Sequence, residues 1–87
     1  MTLAFRAVLQ QNPPMDAAYV EVPYDIKALT GKGRWLVSAT FDGEPYDGQV
    51  VKMGLPCWLI GVPRSIRKKI NKSFGEEIEV VLTDRHS

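Results

Sequence analysis

Five of the chain's eleven Lys and Arg residues fall within nine positions: Arg64, Arg67, Lys68, Lys69 and Lys72. At about 100° per residue, Arg64, Lys68 and Lys72 stack along one side of a helix, opposite Ile66 and Ile70. A ridge of that kind suits phosphates, whether of nucleic acid or of a smaller ligand. The competing account is the solvated face of an amphipathic helix, its cations placed near the C-terminal end that the helix dipole favours. Ten Asp and Glu nearly balance the cations, for a formal charge of +1. The chain as a whole therefore does not announce a nucleic-acid or membrane binder, and any such function must come from how its charge is distributed.

The other candidates are weaker. Gly31-Lys32-Gly33-Arg34 has the composition of a backbone nest for an anion. It lacks phosphate-loop and dinucleotide spacing, and a helix stop followed by a turn accounts for it better. Cys57 needs a nearby base to act as a nucleophile, and the single histidine, His86, is penultimate. One Cys and one His cannot make a thiolate–imidazole zinc site, so a buried structural thiol is the expectation. Asp42, Glu44 and Asp47 crowd one hairpin, where turn chemistry already explains Asp42. Trp35, Tyr46 and Trp58 form a candidate ligand pocket, although their strand positions suit core packing as well. Of the three, Tyr46 is expected to be the most exposed. No catalytic residue, metal ligand or cofactor is expected.

Such side chains need a scaffold, and the chain writes its scaffold twice. Val22-Pro23-Tyr24-Asp25-Ile26 and Val62-Pro63-Arg64-Ser65-Ile66 both read Val-Pro-x-x-Ile, forty positions apart. Each closes an apolar strand-like run and opens a helical segment, after which come a glycine and another strand. In the first copy Pro23 is expected at the first helical position and Gly31 at the stop. In the second the helix runs from Pro63 to Asn71 or Lys72, with Phe74 extending its apolar face and Gly75 ending the turn. Around these copies, Leu3, Phe5, Ala7 and Leu9 alternate in an opening strand, and Pro13-Pro14 marks a loop. Trp35, Val37, Ala39 and Phe41 share one side of a strand that ends in the hairpin signal Asp42-Gly43. The return strand runs over 46–53 to a break at Gly54 and Pro56. Residues 57–62 are apolar on both parities and belong at the centre of the sheet. Ile78, Val80 and Leu82 point inward from the last strand, with Glu77 and Glu79 outward.

Leu59-Ile60-Gly61-Val62-Pro63-Arg64-Ser65-Ile66-Arg67-Lys68-Lys69-Ile70, followed by Gly75-Glu76-Glu77-Ile78-Glu79-Val80, resembles the half-barrel of AbrB-type and MazE-type antitoxin regulators. Those proteins build one barrel from two swapped hairpins and bind DNA as dimers. Over nearly its whole length the chain is similar to a small bacterial barrel domain of unknown function, often fused to a YdeI-like, OmpD-associated bacteriocin-protection domain. The match rests on Phe5-Arg6-Ala7, the central Val-Pro, residues 41–48, Lys52-Met53-Gly54 and Ile66-Arg67-Lys68-Lys69-Ile70. The chain departs from that pattern at Asn71, where glycine often follows the helix, and at Glu76, where aspartate is usual. It also lacks the fused domain.

Together these features predict one mostly β domain over 1–87: a closed, six-stranded, double-split type barrel with two short helices and a pseudo-two-fold repeat, the halves spanning roughly 17–41 and 56–82. Both halves lie in one chain, so a monomer is expected. The lone cysteine fits a reducing cytoplasm. Arg6 interrupts the apolar N-terminus, so no signal-peptide core or membrane association is expected. The functional expectation is a non-enzymatic module that uses Arg64, Arg67, Lys68, Lys69 and Lys72 to hold a phosphate-bearing ligand, a nucleic acid or a protein. The alternatives are an AbrB-like DNA-binding regulator and an enzyme with an aromatic-lined cleft.

Overall fold

The computed structural model describes residues 1–11, 17–52 and 57–85. Its strands are β1 (Thr2–Val8), β2 (Gln10–Gln11), β3 (Ala18–Val22), β4 (Trp35–Phe41), β5 (Glu44–Val51), β6 (Trp58–Val62) and β7 (Glu77–Asp84). Helix α1 (Ile26–Thr30) joins β3 to β4, and α2 (Arg64–Ile70) joins β6 to β7. The loop expected around Pro13 and Pro14, the break at Gly54 and Pro56, and His86 lie outside the described residues.

All seven strands form one antiparallel sheet in the order β1-β7-β4-β5-β6-β3-β2. It curls into a half-barrel, and this corrects the expected closed barrel of six strands. The physical reason lies at Leu9, whose N–H donates to the Glu76 carbonyl at 2.9 Å and whose carbonyl accepts from Gly75 N–H at 2.8 Å. The turn before β7 thus captures Leu9 and splits the opening strand in two. β1 pairs with β7 and β2 with β3. The two ends of the sheet are consecutive pieces of chain that meet end to end, and closure would need them side by side. Among the described residues β5 and β6 share only the pairs Val50–Ile60 and Val51–Leu59, which leaves a second opening beside Tyr46.

The alternation read from the sequence produces the core. Val20, Val37, Phe41, Val50, Ile60, Ile78, Val80 and Leu82 are fully buried, joined by Ile26 from α1 and Ile66 from α2. β6 is central as expected, with Gly61 its one exposed residue. The β4–β5 hairpin turns at Asp42 and Gly43, both at positive φ (49° and 86°), which is the type I′ geometry their identities favour.

The two Val-Pro copies do lead from strand to helix, with one change. Pro23 does not begin α1. Asp25 caps that helix through its Oδ1, which accepts from Ala28 N–H at 3.2 Å, so the first helical residue is Ile26. A carboxylate at this position satisfies an end donor that proline leaves open, and it fixes the start three residues later. In the second copy Pro63 is itself the cap, and α2 ends at Asn71 in the left-handed region.

Candidate functional site

Helix α2 is held to the sheet by Ile66, by the half-buried Ile70 and by Arg67. Arg67 is a basic residue that the sequence places among surface cations, yet the structure buries it to 9% exposure. Its Nε donates to the Val62 carbonyl at 3.3 Å, and its guanidinium lies 5.1 Å from the Phe74 ring centroid. Stacked on an aromatic and bonded to backbone, Arg67 orders the helix as well as contributing charge.

Arg64 and Lys68 remain exposed on the neighbouring face, as their spacing predicts. With Arg67, Asn71, Lys72, Ser73 and Glu76 they line a groove of about 470 Å³. Glu76 is its one carboxylate among the described residues. Its Oε2 accepts from Ser73 N–H at 2.6 Å and from the Ser73 hydroxyl at 3.3 Å, so it is occupied in closing the turn after α2. Lys72 reaches the Glu77 carbonyl at 3.5 Å. Lys69 points elsewhere and forms an exposed ion pair with Glu44 at 3.3 Å. Four of the five predicted cations therefore meet at one groove, and Lys69 does not.

The aromatic set separates. Trp35 and Trp58 are core residues at 4% and 7% exposure. Trp35 Nε1 donates to Asp84 Oδ1 at 2.7 Å, and Asp84 also takes the N-terminal ammonium of Met1. Lys52 lies 5.7 Å from the Trp58 ring centroid. Tyr46 alone is half-buried, and it lines the groove at the β5–β6 opening with Asp47, Gly48, Gln49, Gly61 and Arg85. That groove combines Tyr46 with one carboxylate and does not include Trp58.

Arg85, Asn71, Ser73 and Gly61 escaped the sequence reading. Arg85 donates from Nη2 to the Gly48 carbonyl at 3.2 Å, while its buried Nε has no hydrogen-bond partner among the described residues. Nothing in the spacing near the C-terminus marks it. Gly48 did carry a signal, being a glycine inside an alternating strand.

The remaining candidates are accounted for locally. Gly31 is the αL cap of α1 (φ 74°), its N–H donating to Lys27 O at 2.8 Å, so the Gly-Lys-Gly segment is a helix stop. The hairpin carboxylates go to separate partners: Asp42 Oδ1 accepts from Glu79 N–H at 2.8 Å, Asp47 from the Ser38 hydroxyl at 3.4 Å, and Glu44 pairs with Lys69. Partial burial, reinforced by the Glu21 carboxylate, pushes the Cys57 thiol above its ordinary pKa, which disfavours the nucleophilic thiolate. Among the described residues no three His, Cys, Asp or Glu side chains converge as a metal site, and no helix is long and apolar enough to cross a membrane.

No curated protein matches the chain. The family model described as a domain of unknown function, DUF1905, matches residues 5–82, and with nearly the whole described sheet and both helices inside that span, the chain belongs to this family.

Proposed function

We propose that this domain is a non-enzymatic binding module whose ligand or partner is anionic and docks in the α2 groove. One observation carries the reading: Arg64, Arg67, Lys68 and Lys72 open onto a single depression whose one carboxylate among the described residues, Glu76, is held by Ser73. Four cations gathered on one face of a chain whose formal charge is +1 make a local positive potential that the composition conceals. Phosphate is the best-matched group, because Arg and Lys donors can surround its several oxygens.

The test is titration of inorganic polyphosphate and of duplex DNA of generic sequence in rising salt. If about three phosphates are neutralised, log affinity falls against log salt with a slope of about −3. Lys68→Gln/Lys72→Gln removes two of the groove's cations and flattens that slope by about two. Absence of binding to either anion at low salt would leave α2 as a solvated face and end this reading.

A second reading, an AbrB-like DNA-binding regulator, is favoured by the strand pairing. β3 pairs antiparallel with β6, and β4 with β7, with Ala18 facing Val62 and Val22 facing Trp58. The register between β3 and β6 is centred on Val20 and Ile60, forty positions apart, as a pseudo-two-fold relation between the halves requires. One chain would then contain what two swapped hairpins build in those regulators. This reading calls for duplex binding that weakens steeply as salt rises, so absence of duplex binding at low salt counts against it. The cytoplasmic setting implied by the lone cysteine, and the partnership with a bacteriocin-protection domain implied by the resemblance, belong to the same proposal. In both, this domain holds the anionic component while any chemistry lies with another protein.

A further inference from the structure

The α2 groove does not end at the helix. Arg64 and Arg67 also line a neighbouring depression with Tyr46, Gly61 and Pro63. Tyr46 and Gly61 in turn line the groove at the β5–β6 opening, whose lining includes Arg85. Through these shared residues the three depressions form one track, running from α2 past Tyr46 to Arg85.

Charge along the track is segregated from the rest of the molecule. Among the described residues, Arg64, Arg67, Lys68, Lys72 and Arg85 face it with two carboxylates, Asp47 and Glu76. Elsewhere among the described residues, six Lys and Arg are outnumbered by seven Asp and Glu. The middle of the track is different in kind, presenting a tyrosine ring, a proline and an exposed glycine.

The tyrosine is held there by design of the strand beneath it. A Cβ on Gly48 would come 2.6 Å from Tyr46 Cε2 and 3.2 Å from its Cδ2, so the ring lies against the bare backbone of Gly48. Phe41 supports it from the side, with centroids 6.1 Å apart. Glycine within a strand weakens the strand, and here it makes room for the edge of the tyrosine ring over its backbone. At the far end, the buried Nε of Arg85 has no acceptor among the described residues, and an entering phosphate oxygen could supply one.

Resting on the anion-binding reading above, we propose that the track holds a single-stranded nucleic acid, with phosphates on the cations at either end and a base stacked on Tyr46. Cations that follow a backbone around an aromatic platform are what an unpaired strand requires. A duplex keeps its bases stacked on one another and has none to offer Tyr46. A bare polyanion would gain nothing from the apolar middle.

The experiment compares a labelled oligothymidylate, an abasic phosphodiester oligomer of equal length, and duplex DNA, by fluorescence anisotropy at low and moderate salt. The intact chain is measured beside Tyr46→Leu and Lys68→Gln/Lys72→Gln, each checked for native circular dichroism. Oligothymidylate is expected to bind about ten-fold or more tightly than the abasic oligomer, through base stacking. Tyr46→Leu is expected to remove most of that ratio by weakening oligothymidylate far more than the abasic oligomer, and the double lysine variant to weaken both oligomers together. Gly48→Ala, which displaces the ring without removing it, should reduce the ratio in the same direction. Equal affinity for the two oligomers, or a ratio unaffected by Tyr46→Leu, overturns the single-strand assignment while the anion-binding reading stands. Tighter binding of duplex than of oligothymidylate overturns it in favour of the regulator reading. Failure of all three probes at low salt overturns the anion-binding reading itself.

Discussion

The two halves of the molecule begin from the same five-residue wording and end as different surfaces. Aligned on Val-Pro, Ile26 corresponds to Ile66, Lys27 to Arg67, Ala28 to Lys68, Leu29 to Lys69 and Gly31 to Asn71. The isoleucines do the same work, both buried beneath their helices. The next position diverges: Lys27 is exposed, whereas Arg67 is buried against Phe74 and bonded to Val62. Beyond that, α1 presents alanine and an exposed leucine where α2 presents two lysines. A repeated scaffold needs only its inward positions to match. The outward positions are free to differ, and those of the second copy line a cationic groove.

The largest test of that comparison is on what the halves share. Ile26→Ala and Ile66→Ala should each cost about 2–5 kcal/mol in urea unfolding, because each empties a buried site. A large inequality between them would show that the helices are not equivalent supports.

The next test is on the position where the halves part. Arg67→Ala removes a stacked, bonded and buried side chain and is expected to cost about 1–3 kcal/mol. Lys27→Ala alters an exposed residue and should stay within about 0.5 kcal/mol. Equal effects would mean that Arg67 serves only as a surface charge.

The helix ends make a smaller contrast with opposite signs. Gly31 has φ 74° and open space where a Cβ would go, so Gly31→Ala should lose about 1 kcal/mol from backbone strain alone. Asn71 holds a similar conformation (φ 56°) with a side chain, and Asn71→Gly should gain up to about 1 kcal/mol. Thermal unfolding of the two variants reads both directions.

The smallest effect concerns Cys57, which precedes the second copy. Its thiol pKa is raised, so at any pH below that value less of it is thiolate than in a free cysteine. Alkylation near neutral pH should therefore be slower than for free cysteine and should accelerate at higher pH. Alkylation as fast as free cysteine would show that neither the partial burial nor Glu21 acts on it.

Much of this was legible because it is local. Alternation along 35–41 and 78–82 marks inward faces without reference to any neighbour, and Asp42-Gly43 specifies its turn because both residues tolerate positive φ. The stacking of Arg64, Lys68 and Lys72 follows from helical period alone. Pro23 misled because the Asp25 cap competes with it for the helix start, and which one prevails depends on where the chain leaves β3. Arg67 misled because its burial depends on Phe74, seven residues on, returning over the helix.

By itself, the sequence determined the β class, the repeated strand–Val-Pro–helix unit, the hairpin, the inward residues and the presence of a basic helix, all of which follow from periodicity and backbone preference. The tertiary structure alone decided that the sheet stays open, because Leu9 pairs with the turn at Gly75 and Glu76, sixty-six and sixty-seven positions away. It also decided that Tyr46 rests on Gly48, that Arg85 reaches across to β5, and that three depressions join along Arg64, Tyr46 and Gly61. Each of these depends on which distant segments lie side by side, and side-chain period along a single strand or helix carries no record of that.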